Sequence, residues 1–334
     1  MALTGRELLV RNREQAMKLV NGMGKDRMQK VLAGAERDLL ARMKSAGSGS
    51  FTAEQAKVAL TQVRAVLKDV QGGIKETAVE GAKVASEKAV EGQIDYLNAV
   101  DQQFKGIVQP LALDEAAMFE RGMQGAKSSL LARLASSGEP VAGADAVPHK
   151  AKVGILERYG MNTVAQFEDI FQKGVLTKAS WTDMRSQITE VSPFLQGAPM
   201  SWSTRIVRTE VMSAYNKASW ESTREADDQL GDMVKIVSSV VDDRTGSDSI
   251  SLHAQIRRVD EAFETWYGLM QHPPDRPNDR GLVVPHRIAW PIPDYLQPFS
   301  DAQVLARWRM EKRKGQPPPR GRRSTIPIER FGRG

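Results

Sequence analysis

The stretch READDQLGDMVKIVSSVVDDRTG, residues 224–246, changes its period half-way along. It opens as the end of a strong helical pattern that runs from Met200 to about Asp227. After Gly231 the residues become β-branched and alternating, so MVKIVSSVVDD reads as a strand. The run Asp242-Asp243-Arg244-Thr245-Gly246-Ser247-Asp248 that follows is turn chemistry, because short oxygen-bearing side chains bond their own backbone. A long helix handing over to a strand sets an α+β reading for this part of the chain.

Downstream, SLHAQIRRVDEAF is a short run, and HPPDRPNDRGLVVPHR (272–287) cannot be a helix. Its four prolines fix φ and remove backbone donors, so the segment holds a set path. A last strand is expected over Ile288 to Ile292. Ser300 begins another helix, expected to reach Lys314. GQPPPRGRRSTIPIERFGRG has no helix or strand period and reads as extended.

Upstream, the chain is helical. Thr4-Gly5-Arg6-Glu7 is a capping-box pattern, with Leu3 and Leu8 placed as a hydrophobic staple, and a helix is expected to about Lys44. AGSGS (46–50) ends it, and Thr52-Ala53-Glu54-Gln55 caps the next. Leu60, Val63, Leu67, Val70 and Ile74 are spaced 3-4-3-4 on one narrow seam. Gly72-Gly73 is expected to interrupt or soften that helix. Beyond it the seam turns small, with Ala78, Gly81, Ala82, Ala85 and Ala89, which allows another helix close. Both a helical bundle and a long arm docking on partner subunits fit this pattern. A third helix is expected over about Leu113–Ser136, then three short ones around 153–159, 164–173 and 180–190. SSGEPVAGADAVPHK (136–150) reads as a linker. The expected organisation is a helical arm or bundle at 1–140, a linker at 141–150, a small α+β domain at 151–300 and a basic tail at 301–334. The fold class is α+β, mainly α.

The chain has no cysteine, which excludes disulfides and thiolate metal sites. No apolar run approaches the roughly 20 residues that cross a bilayer, and the first residues lack the pattern of a secretory signal. A soluble protein without a membrane partner is expected. The net charge of +6 is unevenly spread: Val304–Gly334 holds ten Lys/Arg against two Asp/Glu. The basicity therefore belongs to the tail, and the remainder is slightly acidic.

The order of IVRTEVMSAYNKA, then a strand ending in DDRTGSDSISLHAQ, then PPDRPNDRGLVVP resembles the C-terminal domain of the phage Mu F-like family of minor head, or head-morphogenesis, proteins. Arg208, Thr209 and Glu210 stand at the family's R-T-E, with Ala214 and Asn216 at its A-x-N. Asp242 or Asp243, with Arg244 and Thr245, stand at its D-x-R-T. Leu252 and Gln255 stand at its L-x-G-Q, with Ala254 in place of the glycine. Pro273, Pro274, Pro277, Asn278 and Arg280 stand in its final segment. The resemblance covers about 150–290. Where relatives carry cysteines, this chain has Gly246, Ser249, Asp279 and Gly281, and Arg276 replaces a histidine, so the retained residues read as fold determinants. The resemblance implies a virion protein inside the head at or near the portal, present in several copies, acting in assembly, DNA packaging or DNA exit. Its implied partners are the portal protein and/or the major capsid protein, and it implies time in the host cytoplasm during assembly.

His253, His272 and His286 lie among Asp242, Asp243, Asp248, Asp275 and Asp279, but no H-x-H, H-x-x-x-H or H-E-x-x-H pair is present, so no metal is expected. Asp242 and Asp243 are adjacent at a strand end and point to opposite faces, poor geometry for the shared magnesium of a nuclease. No G-x-S-x-G, P-loop or G-x-G-x-x-G occurs, and no cofactor or catalytic residue is expected. The alternatives are a nuclease-like DNA-processing protein of phage or mobile elements, and a portal or adaptor subunit. Arg208 or Glu210 is expected in a half-buried network that holds the D-R-T turn, since a buried charge must be paired. Asn278 and Arg280 are expected to bond the same turn. In the tail, Arg307, Arg309, Lys312, Arg313, Lys314, Arg320, Arg322 and Arg323 suit phosphate or carboxylate. Ile326, Pro327, Ile328 and Phe331 interleave with them, so the tail reads as a strap on a protein partner, with sequence-neutral DNA contact as a second role.

Overall fold

The computed structural model describes residues 4–44, 52–105, 111–135, 155–180, 182–183, 186, 198–240, 245–265, 268–274 and 279–310. They form a mainly helical α+β structure with a small antiparallel sheet. The helices are α1 (Gly5–Asn21), α2 (Met28–Lys44), α3 (Ala53–Gln103), α4 (Glu115–Ala135), α5 (Ile155–Leu176), α6 (Ala198–Leu230), α7 (Ser247–Leu252) and α8 (Asp301–Met310). The strands are β1 (Met233–Ser238), β2 (Ile256–Arg258), β3 (Phe263–Thr265), β4 (Gly268–Met270) and β5 (Leu282–Arg287).

Both capping boxes form. The Thr4 hydroxyl accepts from Glu7 N and the Glu7 carboxylate accepts from Thr4 N, which satisfies two end donors of α1. Thr52 and Gln55 do the same for α3. Leu3 lies outside the described residues. Between α1 and α2 the chain stays helical but widens into a π-turn over Gly22–Arg27. The widening has a geometric reason. Leu8, Asn12, Ala16 and Val20 form the buried stripe of α1, and Met28, Leu32, Ala35 and Leu39 that of α2. In an unbroken α-helix Met28 would sit roughly 80° past Val20; π-turns advance only roughly 80° per residue and bring it back within about 40°. One face can then follow α3 throughout.

Helix α3 is the spine. Its 51 residues span roughly 76 Å at the α-helical rise. Gly72 and Gly73 do not interrupt it, contrary to one of the two expectations. Val70 and Ile74 are buried on either side, and Val31 of α2 fills the space a Cβ on Gly73 would need, 2.8 Å away. Packed round α3 are α1, α2, α4, α5 and α6, so the helices form a bundle. The small seam is buried as expected, and it admits α6: a Cβ on Gly81 would lie 2.7 Å from Val211. Two of the three short helices expected at 153–190 are a single one, α5, whose Phe167 and Phe171 share a face one turn apart and pack into the core. The third falls mostly outside the described residues.

Helix α6 runs through the middle and is buried on every side from Glu210 to Thr223. It delivers the chain to β1, the centre of a sheet in the order β2-β1-β5. Both neighbours are antiparallel, with Val234↔Arg258 on one side and Val234↔His286 on the other. Val234 and Ile236 face the main core, while Val237 joins Leu252, Phe263, Met270 and Val283 in a second cluster under α7 and the β3–β4 hairpin. The last strand is therefore 282–287, earlier than the expected 288–292. The reason lies in β1: Met233 pairs with Arg287 and the chain turns at Gly231-Asp232, so Ile288 N makes the last bond to that side, to Asp232 O, and Trp290 N turns back to Arg287 O. The main core is one continuous cluster from Leu9 to Leu296, so packing crosses the boundary expected at 141–150, whose own residues lie outside those described. Helix α8 is described to Met310.

Candidate functional site: a clasp between the central helix and the sheet edge

Among the described residues strand β5 pairs with β1 alone, so its other edge needs partners. They come from side chains. The Asn216 amide, fully buried on α6, donates to Gly281 O at 2.9 Å and accepts from Val283 N at 2.9 Å. Gln93 of α3 donates to Val283 O at 3.0 Å. Two residues on, Pro285 has no N–H to satisfy, which suits an edge position. Thr223 donates to Gln93 Oε1 and ties that amide back to α6. Just before the strand, Asp279 accepts from Gly281 N. Thus the R-T-E…N helix and the end of the proline-rich segment, 65 residues apart in sequence, are joined directly.

A similar device serves β3. The Gln255 amide accepts from Glu264 N and donates to Glu264 O, in place of a neighbouring strand. Ala254 takes φ 62°, in the left-handed region that favours glycine. Thr245 is buried and donates from its hydroxyl to Val240 O, while its carbonyl accepts from Arg307 Nε at 2.8 Å. Arg307, expected as a partner contact, is thus half-buried and holds α8 against the turn; Arg309 is exposed.

Glu210 is buried in α6. Arg208 is half-buried and donates to Asn21 Oδ1 at the end of α1, and Thr209 donates to its own helix at Arg205 O. Arg280 is half-buried and lies close enough to Arg13 to lower that guanidinium's pKa, after desolvation, which is the larger cause. Arg13 itself reaches Ser238 Oγ at the end of β1. Asp243, Arg244, Pro277, Asn278, Lys312, Arg313, Lys314, Arg320, Arg322, Arg323 and Phe331 lie outside the described residues, and with them the bonds expected from Asn278 to the D-R-T turn.

Each histidine of this region sits against an aromatic ring and bonds backbone. His253 Nδ1 accepts from Ser239 N beside Phe299, and His272 meets Pro273 O beside Trp220. His286 meets Trp290 O and is held down to about 4 by burial, so its imidazole is neutral at pH 7. Among the described residues no group of three or more His, Asp or Glu has an arrangement that could hold a metal ion.

Sequence reasoning missed Lys235. On alternation it falls on the face opposite the main core, yet it is fully buried at the centre of β1. Its Nζ donates to Gln271 O at 3.0 Å and Gln271 Oε1 at 2.7 Å, and lies 5.0 Å from the Trp220 ring centre and 4.9 Å from that of Phe263. Desolvation pushes its pKa down to about 7. The only signal in the sequence is a lysine flanked on both sides by β-branched and apolar residues. Also missed was Glu221, which pairs with Lys217, Arg224 and Arg121 and so links α4 to α6.

No family model, curated protein or solved structure matches the chain. The geometry itself is that of a packing device: buried amides close strand edges, and charged groups pair between helices.

Proposed function

We propose that the chain is a non-enzymatic minor head protein of a tailed phage, of the Mu F-like kind, attached inside the head at or near the portal. The observation that carries this reading is the Asn216 clasp. The motif residues that suggested the family include a buried amide that bonds the first motif to the last, as expected of fold determinants. Gln255 supports it in the same way. In this reading the α+β part is a rigid module. The partner contacts come from Arg309 and the basic residues after it, which meet the portal and/or major capsid protein and, secondarily, DNA through phosphate charge. Copies act in assembly, packaging or exit of DNA.

The test is co-purification with an assembled portal ring, using the full chain and a chain lacking 315–334. Retention of the full chain and loss of the truncated one is the expected result. Failure of the full chain to bind portal or coat would overturn the reading. Magnesium-dependent cleavage of DNA by the purified protein would replace it with the nuclease alternative, and a closed ring formed by this chain alone would replace it with the portal alternative.

A further inference from the structure

Two facing stretches of the helical bundle are rich in glycine. Along α1, the π-turn and α2, glycines at 22, 24 and 34 fall within thirteen residues; along α3, glycines at 72, 73 and 81 fall within ten. The pairing of the helices brings these stretches side by side. Met23 lies against Gly81, Arg27 pairs with Glu76 and Glu80, and Val31 lies against Gly73. Gly73 and Gly81 have a packing reason, since a Cβ on either would meet a side chain below 3 Å. Gly22 and Gly72 do not: nothing lies within 4 Å of a Cβ built on either. Glycine in a helix interior destabilises it relative to alanine, and at these two positions close packing does not explain its presence. The same zone contains the π-turn, a local departure from the α-helical ladder that often marks a working site.

The zone also separates two parts of the bundle that are held differently. On one side, α1 is fixed to the second half of α3 by Asn12 to Gly92 O, and that half of α3 is fixed to the sheet by Gln93 to Val283 O and to α6 by Ser86 to Ala214 O. On the other side, the start of α3 is joined to α5 by the exposed pair Arg64–Glu168 and by packing of Phe167 and Phe171, and α2 packs chiefly on α3. The ion pairs that cross the zone run from half-buried Arg27 to exposed Glu76 and Glu80, so they add little to its hold.

We propose that residues 22–34 and 70–82 form a joint, at which the outer end of the bundle (α2, the start of α3 and α5) bends against the body that carries the sheet. This inference does not depend on the phage reading.

Amide hydrogen exchange on the full chain tests it, with Gly22→Ala and Gly72→Ala singly and together. In the native chain, amides of 22–34 and 70–82 exchange at least tenfold faster than those of 8–20 and 84–100, because the joint opens without unfolding the body. Each alanine slows exchange in the joint about fivefold, the factor set by the helix-interior gap between glycine and alanine, and leaves the flanks unchanged. Uniform protection across joint and flanks in the native chain overturns the proposal. So does a gain from the alanines that spreads evenly through α1 and α3, since that reports global stability alone. Both substitutions fit the space, so loss of fold does not obscure the result.

Discussion

Replacing Lys235 with methionine tests the physics of the sheet most directly. The ammonium has an ordinary pKa of 10.5 and one of about 7 in the fold, with desolvation as the main cause. For a base whose folded pKa is depressed, the unfolded chain binds more protons between the two values, so stability rises with pH across that window. Below pH 7 both states are protonated and the penalty is complete, at about 5 kcal/mol for a shift of this size. Above pH 10.5 it is gone. Between pH 7 and 9.5 the native protein should gain about 3 kcal/mol. Methionine fills a similar volume and does not titrate, but it removes the donor to Gln271 O and Gln271 Oε1, which costs about 1–3 kcal/mol, and, where the ammonium is charged, the attraction to the Trp220 and Phe263 rings, about 1 kcal/mol. The two profiles should therefore cross: Lys235→Met is as stable as the native chain or more so at pH 7, and less stable at pH 9.5. Urea denaturation at half-unit pH steps measures this. Parallel profiles, or a native profile that is flat from pH 7 to 9.5, would refute the reasoning, because both require the ammonium to be solvated in the fold.

Other perturbations give distinct outcomes. His286 is held at about 4 against an ordinary 6.5, so stability present above pH 6.5 is lost as pH falls towards 4, by about 3 kcal/mol in all; His286→Phe should flatten that limb in acid titrations followed by tryptophan fluorescence. Asn216→Ala strands Gly281 O and Val283 N in a buried place and should destabilise by about 3 kcal/mol, read as a lower urea midpoint with an unchanged slope. Glu210→Ala removes a buried carboxyl group from α6 and should lower the melting temperature by several degrees, about 2 kcal/mol; unchanged melting would refute a stabilising role for that group.

The helices were legible because their signals are local. Thr4 with Glu7 and Thr52 with Gln55 mark their starts within four residues, and the 3-4 spacing from Leu60 to Ile74 marks a buried face. The strand at Met233 was legible for the same reason. What failed was non-local. Residues 288–292 look like a strand, but which residues pair is decided by where β1 ends. The glycine pair at 72–73 resembles a break until Val31 of another helix fills its space. The sequence around 153–173 reads as two patterns, yet the backbone from Ile155 to Leu176 is a single helix. In the site, Asn216 and Gln255 were visible by resemblance, though their work as surrogate backbone was not. Lys235 was hidden because alternation in a strand predicts a solvent face, and here the β3–β4 hairpin covers that face.

The closed outer edge of β5 has a consequence for life at high concentration. An open edge strand is a template on which a second copy can add its own strand, and crowded assembly intermediates are where such accidents spread. Here the amides of Asn216 and Gln93 occupy that template and Pro285 blanks the next rung. A second copy would find the β5 edge already taken, so strand addition there is blocked.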